Sequence, residues 1–217
     1  MIQSINPAQP DEIVGEVVAD DAAAVGAAVE RARAAQIGWR ELGIIRRGRI
    51  LRACADEVAR RAEDLARLMT LEEGKTIGEA RGELEGAVET MHYHAGHARD
   101  ADGRTFPSST PDELVRTLRV PVGVVAVITP WNFPVQIPAW KVTPALLWGN
   151  AVVWKPSTET PMLSQALADA LAAAGLPDGV LELVHGDAEA GQALVSHPGV
   201  DAVTFTGSVP VGRSIAV

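Results

Sequence analysis

Val120-Pro-Val-Gly-Val-Val-Ala-Val-Ile-Thr-Pro-Trp-Asn-Phe-Pro134, followed by Val135-Gln-Ile-Pro-Ala-Trp-Lys-Val-Thr-Pro-Ala-Leu-Leu-Trp-Gly-Asn150 and Ala151-Val-Val-Trp154, is the stretch whose reading decides the fold. Lys141 is the one charged residue in it. A run this apolar is long enough to cross a bilayer. Pro121, Pro130, Pro134 and Pro138 argue against that, because proline removes a helix donor and clashes with the preceding turn. The stretch reads instead as a fully buried parallel strand over Gly123–Ile128, a proline-rich turn, a helix around Pro138–Leu147 and a second buried strand over Ala151–Trp154.

The same alternation continues toward the C-terminus. Thr160 as N-cap and Pro161 at the first helical position start a helix that stops at Gly175. Strand Val180–Val184, helix Glu189–Val195, strand Ala202–Phe205 and the start of a helix after Ser208 follow. Four strands separated by helices predict an α/β fold, a doubly wound and mainly parallel sheet with right-handed crossovers.

Toward the N-terminus the character changes. Residues 1–100 are rich in Ala, Arg and Glu and read as helices after a short extended start, with Asp20 or Asp21 capping a segment through Ala35. A longer helix is predicted over Ile44–Met69. Its apolar positions Ile50, Leu51, Cys54, Val58, Ala62, Leu65 and Leu68 recur every three or four residues, which places Cys54 on the buried stripe. Gly74 suits a stop for this helix, and a third runs from about Thr76 to Ala98. Residues 101–119, with Pro107, Ser108, Ser109 and Pro111, read as a loop leading into a strand over Leu114–Arg119.

Composition removes several classes of function. The 217 residues carry 19 Lys plus Arg against 28 Asp plus Glu, a net charge of −9, so no nucleic-acid partner held by a basic face is expected. The single cysteine allows no intramolecular disulfide. Met1-Ile2-Gln3-Ser4 carries no charged region leading into an apolar stretch, so a cytoplasmic, reduced setting without a membrane partner is expected. His92, His94 and His97 put only His94 and His97 on one helix face, and no metal site is expected there. Glu72-Glu73, before Gly74-Lys75 at a helix end, are expected to be solvated.

In an open parallel sheet, ligands bind beyond the carboxyl ends of the strands, and three such ends here carry unusual residues. In Ile128-Thr-Pro-Trp-Asn-Phe-Pro134, two prolines stiffen a turn that holds Asn132, whose NH2 could donate to a developing oxyanion or could merely close the turn. Lys155 follows a buried strand and is held extended by Pro156; it either meets an anion or sugar in the interior or snorkels to the surface. In Phe205-Thr-Gly-Ser-Val-Pro-Val-Gly-Arg-Ser214, a glycine turn before a helix presents backbone N–H groups to a phosphate, or is a structural turn. Its spacing is one residue from a P-loop but lacks the lysine, and it is not the usual dinucleotide fingerprint.

These segments, in this order, resemble the NAD(P)-dependent aldehyde dehydrogenase superfamily. The likeness covers the whole chain: Thr129-Pro-Trp-Asn-Phe-Pro134, Pro144-Ala-Leu146 with Gly149-Asn150, Lys155-Pro-Ser157, Gly175-Leu-Pro-Asp-Gly179 and Phe205-Thr-Gly-Ser208. The resemblance implies a Rossmann-like cofactor domain over residues 122–217. It further implies a mostly helical region over 1–100, and a loop and strand of an oligomerisation hairpin over 101–121. Asn132 would be the catalytic oxyanion-hole amide, and Lys155 would hydrogen-bond the adenosine ribose. Gly207 and Ser208 would meet the pyrophosphate, Ile128, Thr129, Pro130 and Trp131 the nicotinamide-ribose side, and Val211 the adenine pocket. Ser157, Thr158, Gly186, Gly191 and Phe205 complete the implied cofactor contacts, with NADP or NAD as cofactor. The implied chemistry oxidises a small aldehyde to a carboxylate through a cysteine thioester, in a homo-oligomer that is a dimer or tetramer. The Ile137-Pro-Ala-Trp-Lys141 turn and Thr158 look most like members acting on semialdehydes such as α-ketoglutarate or succinate semialdehyde.

The chain departs from the family pattern at several points. Many NAD-selective members carry Glu where Thr158 stands, and losing that carboxylate should admit the 2′-phosphate of NADP, with Lys155 able to pair it. Gly186-Asp187-Ala188 has Ala where a second Gly often sits. The family's nucleophilic Cys and general-base Glu are expected downstream of Val217, with the catalytic domain, and Cys54 is not expected to replace the nucleophile. An N-terminal part of this kind is expected to be inactive alone and to self-associate through its open sheet edge. A non-catalytic dinucleotide-binding or dimerisation module is the alternative.

Overall fold

A computed structural model describes residues 1–100 and 102–216. Ala101, at the start of the expected loop, and Val217, at the end of the expected helix, lie outside the described residues. The chain opens with an antiparallel pair, β1 (Ile2–Ile5) and β2 (Ile13–Val17), in which Gln3 faces Glu16 and Ser4 faces Gly15. The sequence shows the first of these strands as a short extended start and misses the second, so residues 1–100 are not helical from their beginning.

Four helices follow: α1 (Ala22–Glu41), α2 (Ile44–Arg60), α3 (Ala62–Glu73) and α4 (Ile77–Gly96), with a single 3-10 turn over His97–Arg99. Asp21 caps α1 by accepting from the Ala24 N–H at 2.8 Å. Asp20 has another task, accepting from the His185 N–H at 2.7 Å and so tying the start of α1 to the loop after the third sheet strand. The single helix expected over Ile44–Met69 is two helices. Arg61, at φ −93° and ψ 4°, breaks it, and the Glu57 carboxylate accepts from both Arg60 and Arg61 there. Gly74 ends α3 in the left-handed conformation, φ 80°, which glycine adopts without steric cost. Thr76 and Glu79 then form a reciprocal capping box at the start of α4.

A small antiparallel pair, β3 (Thr105–Phe106) and β4 (Val115–Arg116), stands out from the body with all four residues exposed, shorter than the strand predicted over Leu114–Arg119. The remainder is β5 (Val124–Ile128), α5 (Gln136–Leu147), β6 (Ala151–Lys155), α6 (Pro161–Ala173), β7 (Leu181–Leu183), α7 (Ala188–Val195), β8 (Ala202–Phe205) and α8 (Val209–Ile215). The four strands form one parallel sheet in the order β7-β6-β5-β8. This is the predicted doubly wound sheet, with the order reversing at β5, where the chain returns from β7 to place β8 on its other side.

Burial on both faces explains why β5 and β6 read as continuous apolar runs. Successive side chains alternate between the faces. Val125, Val127, Val152 and Trp154 pack with α2 to α6, while Val124, Ala126, Ile128, Ala151 and Val153 pack against Val25, Ala28, Val29 and Ala32 of α1 and Ala190 and Leu194 of α7. Among the described residues no helix is long and apolar enough to cross a membrane.

Two helices that point at the sheet's carboxyl edge are capped by glutamates from the helical region. The Glu83 carboxylate of α4 accepts from the Val135 and Gln136 N–H groups at 2.9 and 3.1 Å, at the start of α5. The Glu72 carboxylate of α3 accepts from the Met162 and Leu163 N–H groups at 2.8 and 2.7 Å, at the start of α6, and from the Ser4 hydroxyl at 2.6 Å. Thr160 occupies the N-cap position of α6, but its hydroxyl makes no capping bond. The expectation that Glu72 and Glu73 are solvated is therefore wrong: Glu72 is buried and the Glu73 side chain is 6% exposed, because the α3 terminus packs against α6 and β1 instead of ending in solvent.

Candidate functional site

The carboxyl ends of β5, β6 and β8 lie side by side, since Ile128 is in register with Lys155 on one side and with Phe205 on the other. Each strand continues the ladder into its loop: the Thr129 N–H donates to Lys155 O at 3.3 Å, and the Thr206 N–H donates to Ile128 O at 3.0 Å. The Thr129 hydroxyl also accepts from the Trp154 indole N–H at 2.9 Å, so a buried aromatic fixes the first residue beyond β5. Above these ends opens a cleft of about 750 Å³, within the range of roughly 300–1,000 Å³ typical of small-molecule sites.

Eleven of the thirteen residues implied as cofactor contacts line this one cleft: Ile128, Thr129, Pro130, Lys155, Ser157, Thr158, Gly191, Phe205, Gly207, Ser208 and Val211. They come from strand ends, loops and helix starts up to 83 positions apart, from Ile128 to Val211, and the switch of strand order is what brings them together. Two do not line it. Gly186 is buried behind the cleft, where its carbonyl accepts from Lys155 Nζ at 2.6 Å. Trp131, half exposed, turns away beyond Pro130 toward the neighbouring cleft against Ile2, Gln3 and Ser4.

Lys155 is not a snorkelling surface lysine. It is 9% exposed, and Nζ donates to Gly186 O and, at 3.0 Å, to Pro156 O. Burial pushes its pKa down, and the Asp187 carboxylate partly opposes that shift. Gly191 on α7 lies against the lysine stem, where a Cβ would sit 3.4 Å from Lys155 Cε, at ordinary van der Waals distance. Gly207 is held to glycine by close approach, because a Cβ would meet the Phe205 ring at 2.6 Å. The first intrahelical bond of α8 runs from the Gly212 N–H to Ser208 O. The Val209 and Val211 N–H groups precede it and have no partner within the helix.

The sequence did not single out Asp187, Gln192, Val195, Ser196, Thr206 or Ile215, which also line the cleft. The α7 members follow from Gly191 by helical spacing, so Val195, one turn on, could have been found.

Asn132 sits outside the cleft, on the exposed turn between Pro130 and Pro134. Its backbone carbonyl accepts from Lys75 Nζ at 2.9 Å. That ammonium also lies 4.4 Å from the Phe133 ring centroid, 3.2 Å from Glu73 and 2.5 Å from Glu83. Cys54 is remote from all of this. It is fully buried between α2 and α6, with Sγ 3.7 Å from Leu171 O, and burial pushes its thiol up to about 12. A thiol so placed is core, not nucleophile. Of the histidines expected to carry no metal, His97 bonds Asp100 and His94 packs edge-on to Tyr93.

All 217 residues match the aldehyde dehydrogenase family. Alpha-ketoglutaric semialdehyde dehydrogenase of Bacillus subtilis is 45% identical over 216 residues, a match covering 99% of this chain and 44% of that protein. Glutarate-semialdehyde dehydrogenase of Pseudomonas aeruginosa is 41% identical over 211 residues, covering 97% and 44%. Among solved structures, an NADP-dependent enzyme of E. coli superposes with a TM-score of 0.96 at 38% identity, covering 99% of this chain and 45% of that one. Betaine aldehyde dehydrogenase of Staphylococcus aureus in complex with NAD+ gives 0.94 at 34% identity, covering 99% and 43%. The chain thus spans somewhat under half the length of the relatives it matches. With the whole sequence, the sheet order and the order of its loop motifs all in agreement, the chain belongs to the aldehyde dehydrogenase family.

Proposed function

We propose that this chain is the N-terminal, cofactor-binding part of an NAD(P)-dependent aldehyde dehydrogenase, whose nucleophilic cysteine and general-base glutamate lie outside these 217 residues. The observation that carries this reading is the convergence of eleven implied contact residues on one cleft at the strand ends. The cleft suits a dinucleotide: Val195, Val211 and Ile215 offer an apolar wall for a flat base, and Lys155, Thr158 and Ser208 offer polar groups along its length. Lys155 would hold the adenosine ribose, the Gly207-Ser208 turn the pyrophosphate, and Ile128, Thr129 and Pro130 the nicotinamide-ribose side. When bound, the cofactor supplies the hydride acceptor. The Asn132 carboxamide would donate its NH2 to the oxyanion that develops on the aldehyde carbon's oxygen.

The substrate we propose is a semialdehyde, a reading supported by the names of the Bacillus subtilis and Pseudomonas aeruginosa relatives, at 45% and 41% identity. Thr158 supports use of NADP, since no carboxylate stands there to repel a 2′-phosphate beside Lys155. The exposed β3–β4 hairpin, with Leu114, Leu118, Val120 and Val122 at or near it bare to solvent, supports a homo-oligomer in which it meets a second copy. The one cysteine, free and buried, supports a reduced cytoplasmic setting.

Titration of NADP and NAD into the chain by calorimetry tests the core of this. One site per chain is expected, with NADP bound at least as tightly as NAD, and Lys155→Ala weakening either by about tenfold, the loss of one hydrogen bond to a charged group. No binding by a folded chain would overturn the reading. The 217-residue chain is expected to show no turnover of α-ketoglutarate semialdehyde with NADP, and turnover would place the nucleophile within it.

A further inference from the structure

Lys75 and Glu83 come from the helical region, far in sequence from the sheet, yet they converge on the turn that carries Asn132. The Lys75 side chain is 12% exposed and that of Glu83 is 1% exposed. Nζ of Lys75 donates to the Asn132 carbonyl at 2.9 Å and to Glu83 Oε2 at 2.5 Å, and it lies 4.4 Å from the Phe133 ring centroid. The other oxygen of the same carboxylate, Oε1, accepts from the Val135 and Gln136 N–H groups. One buried ion pair therefore grips the turn at both ends: the lysine holds the peptide after Asn132, and the glutamate holds the first turn of α5.

We infer that Lys75 and Glu83 are positioning residues for the Asn132 carboxamide. This rests on the reading of Asn132 as the oxyanion donor. Pro130 and Pro134 fix φ on either side of the turn, but the Asn132–Phe133 peptide between them is free to rotate unless its carbonyl is held. Asn132 is exposed and Phe133 is about half exposed, so packing alone does not fix them. The ammonium supplies both restraints, a charge-assisted bond to the carbonyl and a cation–π contact to the neighbouring ring. A donor to a developing oxyanion is effective only when it is aimed before the charge appears, and small misplacements cost rate rather than binding. Lys75 and Glu83 do not line the cleft; they act through the turn.

Two arms test this. In the first, hydrogen exchange is followed by mass spectrometry on the 217-residue chain. Lys75→Met is expected to speed exchange about tenfold in the segment 131–137 and to leave α6 unchanged, with Lys75→Arg restoring protection. Lys75→Met strands Glu73 and Glu83 without their cation, which can itself unfold a chain, so Lys75→Met with Glu73→Gln is measured beside it. Unchanged exchange over 131–137 in folded variants overturns the inference.

The second arm is steady-state kinetics of the full-length enzyme. Asn132→Ala is expected to lower kcat about a hundredfold or more, and Lys75→Met about tenfold, with the KM for cofactor within twofold. The double variant is expected to be no slower than Asn132→Ala alone, because a residue acting through Asn132 has nothing left to position. Additive losses, or a Lys75→Met kcat within twofold of wild type, overturn the inference. An Asn132→Ala enzyme with unchanged kcat instead overturns the oxyanion reading, and the exchange arm alone then decides whether the ion pair orders the turn.

Discussion

Replacing Glu72 with alanine removes a cap that belongs to a different helix from the one it caps. The carboxylate is buried and accepts three hydrogen bonds, from the Met162 N–H at 2.8 Å, the Leu163 N–H at 2.7 Å and the Ser4 hydroxyl at 2.6 Å. Losing a helix cap costs about 1 kcal/mol, and a buried donor left without an acceptor costs about 1–3 kcal/mol. Leu163 is fully buried, so its N–H has no water to turn to, while the Met162 N–H is only partly covered. Against this stands the cost of keeping the carboxylate out of water, which pushes its pKa above the usual range despite the three donors. Two helix-end donors and one hydroxyl, less that cost, leave a net loss of about 3 kcal/mol for Glu72→Ala. For a chain of this size the fall in Tm is about 6–12 °C. Glu72→Gln keeps one acceptor oxygen and should lose about half as much. Thermal unfolding followed by circular dichroism reads both. A Glu72→Ala Tm within about 2 °C of wild type would refute the account of how α6 is held, and would mean that the idle Thr160 hydroxyl turns in to take over the cap.

Further predictions concern the cleft, the cysteine and acid. Thr158→Glu puts a carboxylate beside Lys155 and should cost NADP about 2 kcal/mol of affinity, roughly thirtyfold, while leaving NAD within about threefold, as competitive titrations would show. Cys54 should not react with a thiol reagent in the native chain and should react once in urea; labelling at native rates near those of a free thiol would contradict its burial and its thiol raised to about 12. Glu57, bonded to Arg60 and Arg61, and Glu63, bonded to Arg81 and Arg67, have carboxyls drawn down to about 2. Their folded values lie below the unfolded value of about 4.3, so their contribution is present above that pH and is lost as pH falls toward about 2. The Tm of Glu57→Gln with Glu63→Gln should therefore fall less steeply between those pH values than that of wild type, and parallel curves would contradict the assignment.

The C-terminal half was readable because its physics is local. Strands β5 and β6 are covered on both faces, so their sequences are unbroken apolar runs, and glycine or proline marks their ends. Placing the implied contacts at those ends was enough to gather eleven of them into one cleft. The misses share a non-local cause. Strand β2 exists by pairing with β1, and Gly15 in it lies so close to Met162 of α6 that a Cβ there would sit 2.7 Å from its sulfur. The break at Arg61 carries no glycine or proline, and a run of good helix formers gives no warning of it. Glu72 and Glu83 look like ordinary surface glutamates in helical sequence; their partners lie 91 and 53 positions away, at Leu163 and Gln136. Lys75 is likewise invisible as a functional residue until the turn after β5 folds over it.

The most direct test of the central claim is a crystal structure of the 217-residue chain grown with saturating NADP. The account predicts one dinucleotide lying along the cleft above β5, β6 and β8, with its adenosine end at Lys155 and Val211, its diphosphate at Gly207-Ser208 and its nicotinamide end toward Ile128, Thr129 and Pro130. A dinucleotide bound elsewhere on a chain with this fold, or an empty cleft at a concentration where calorimetry shows binding, would contradict it.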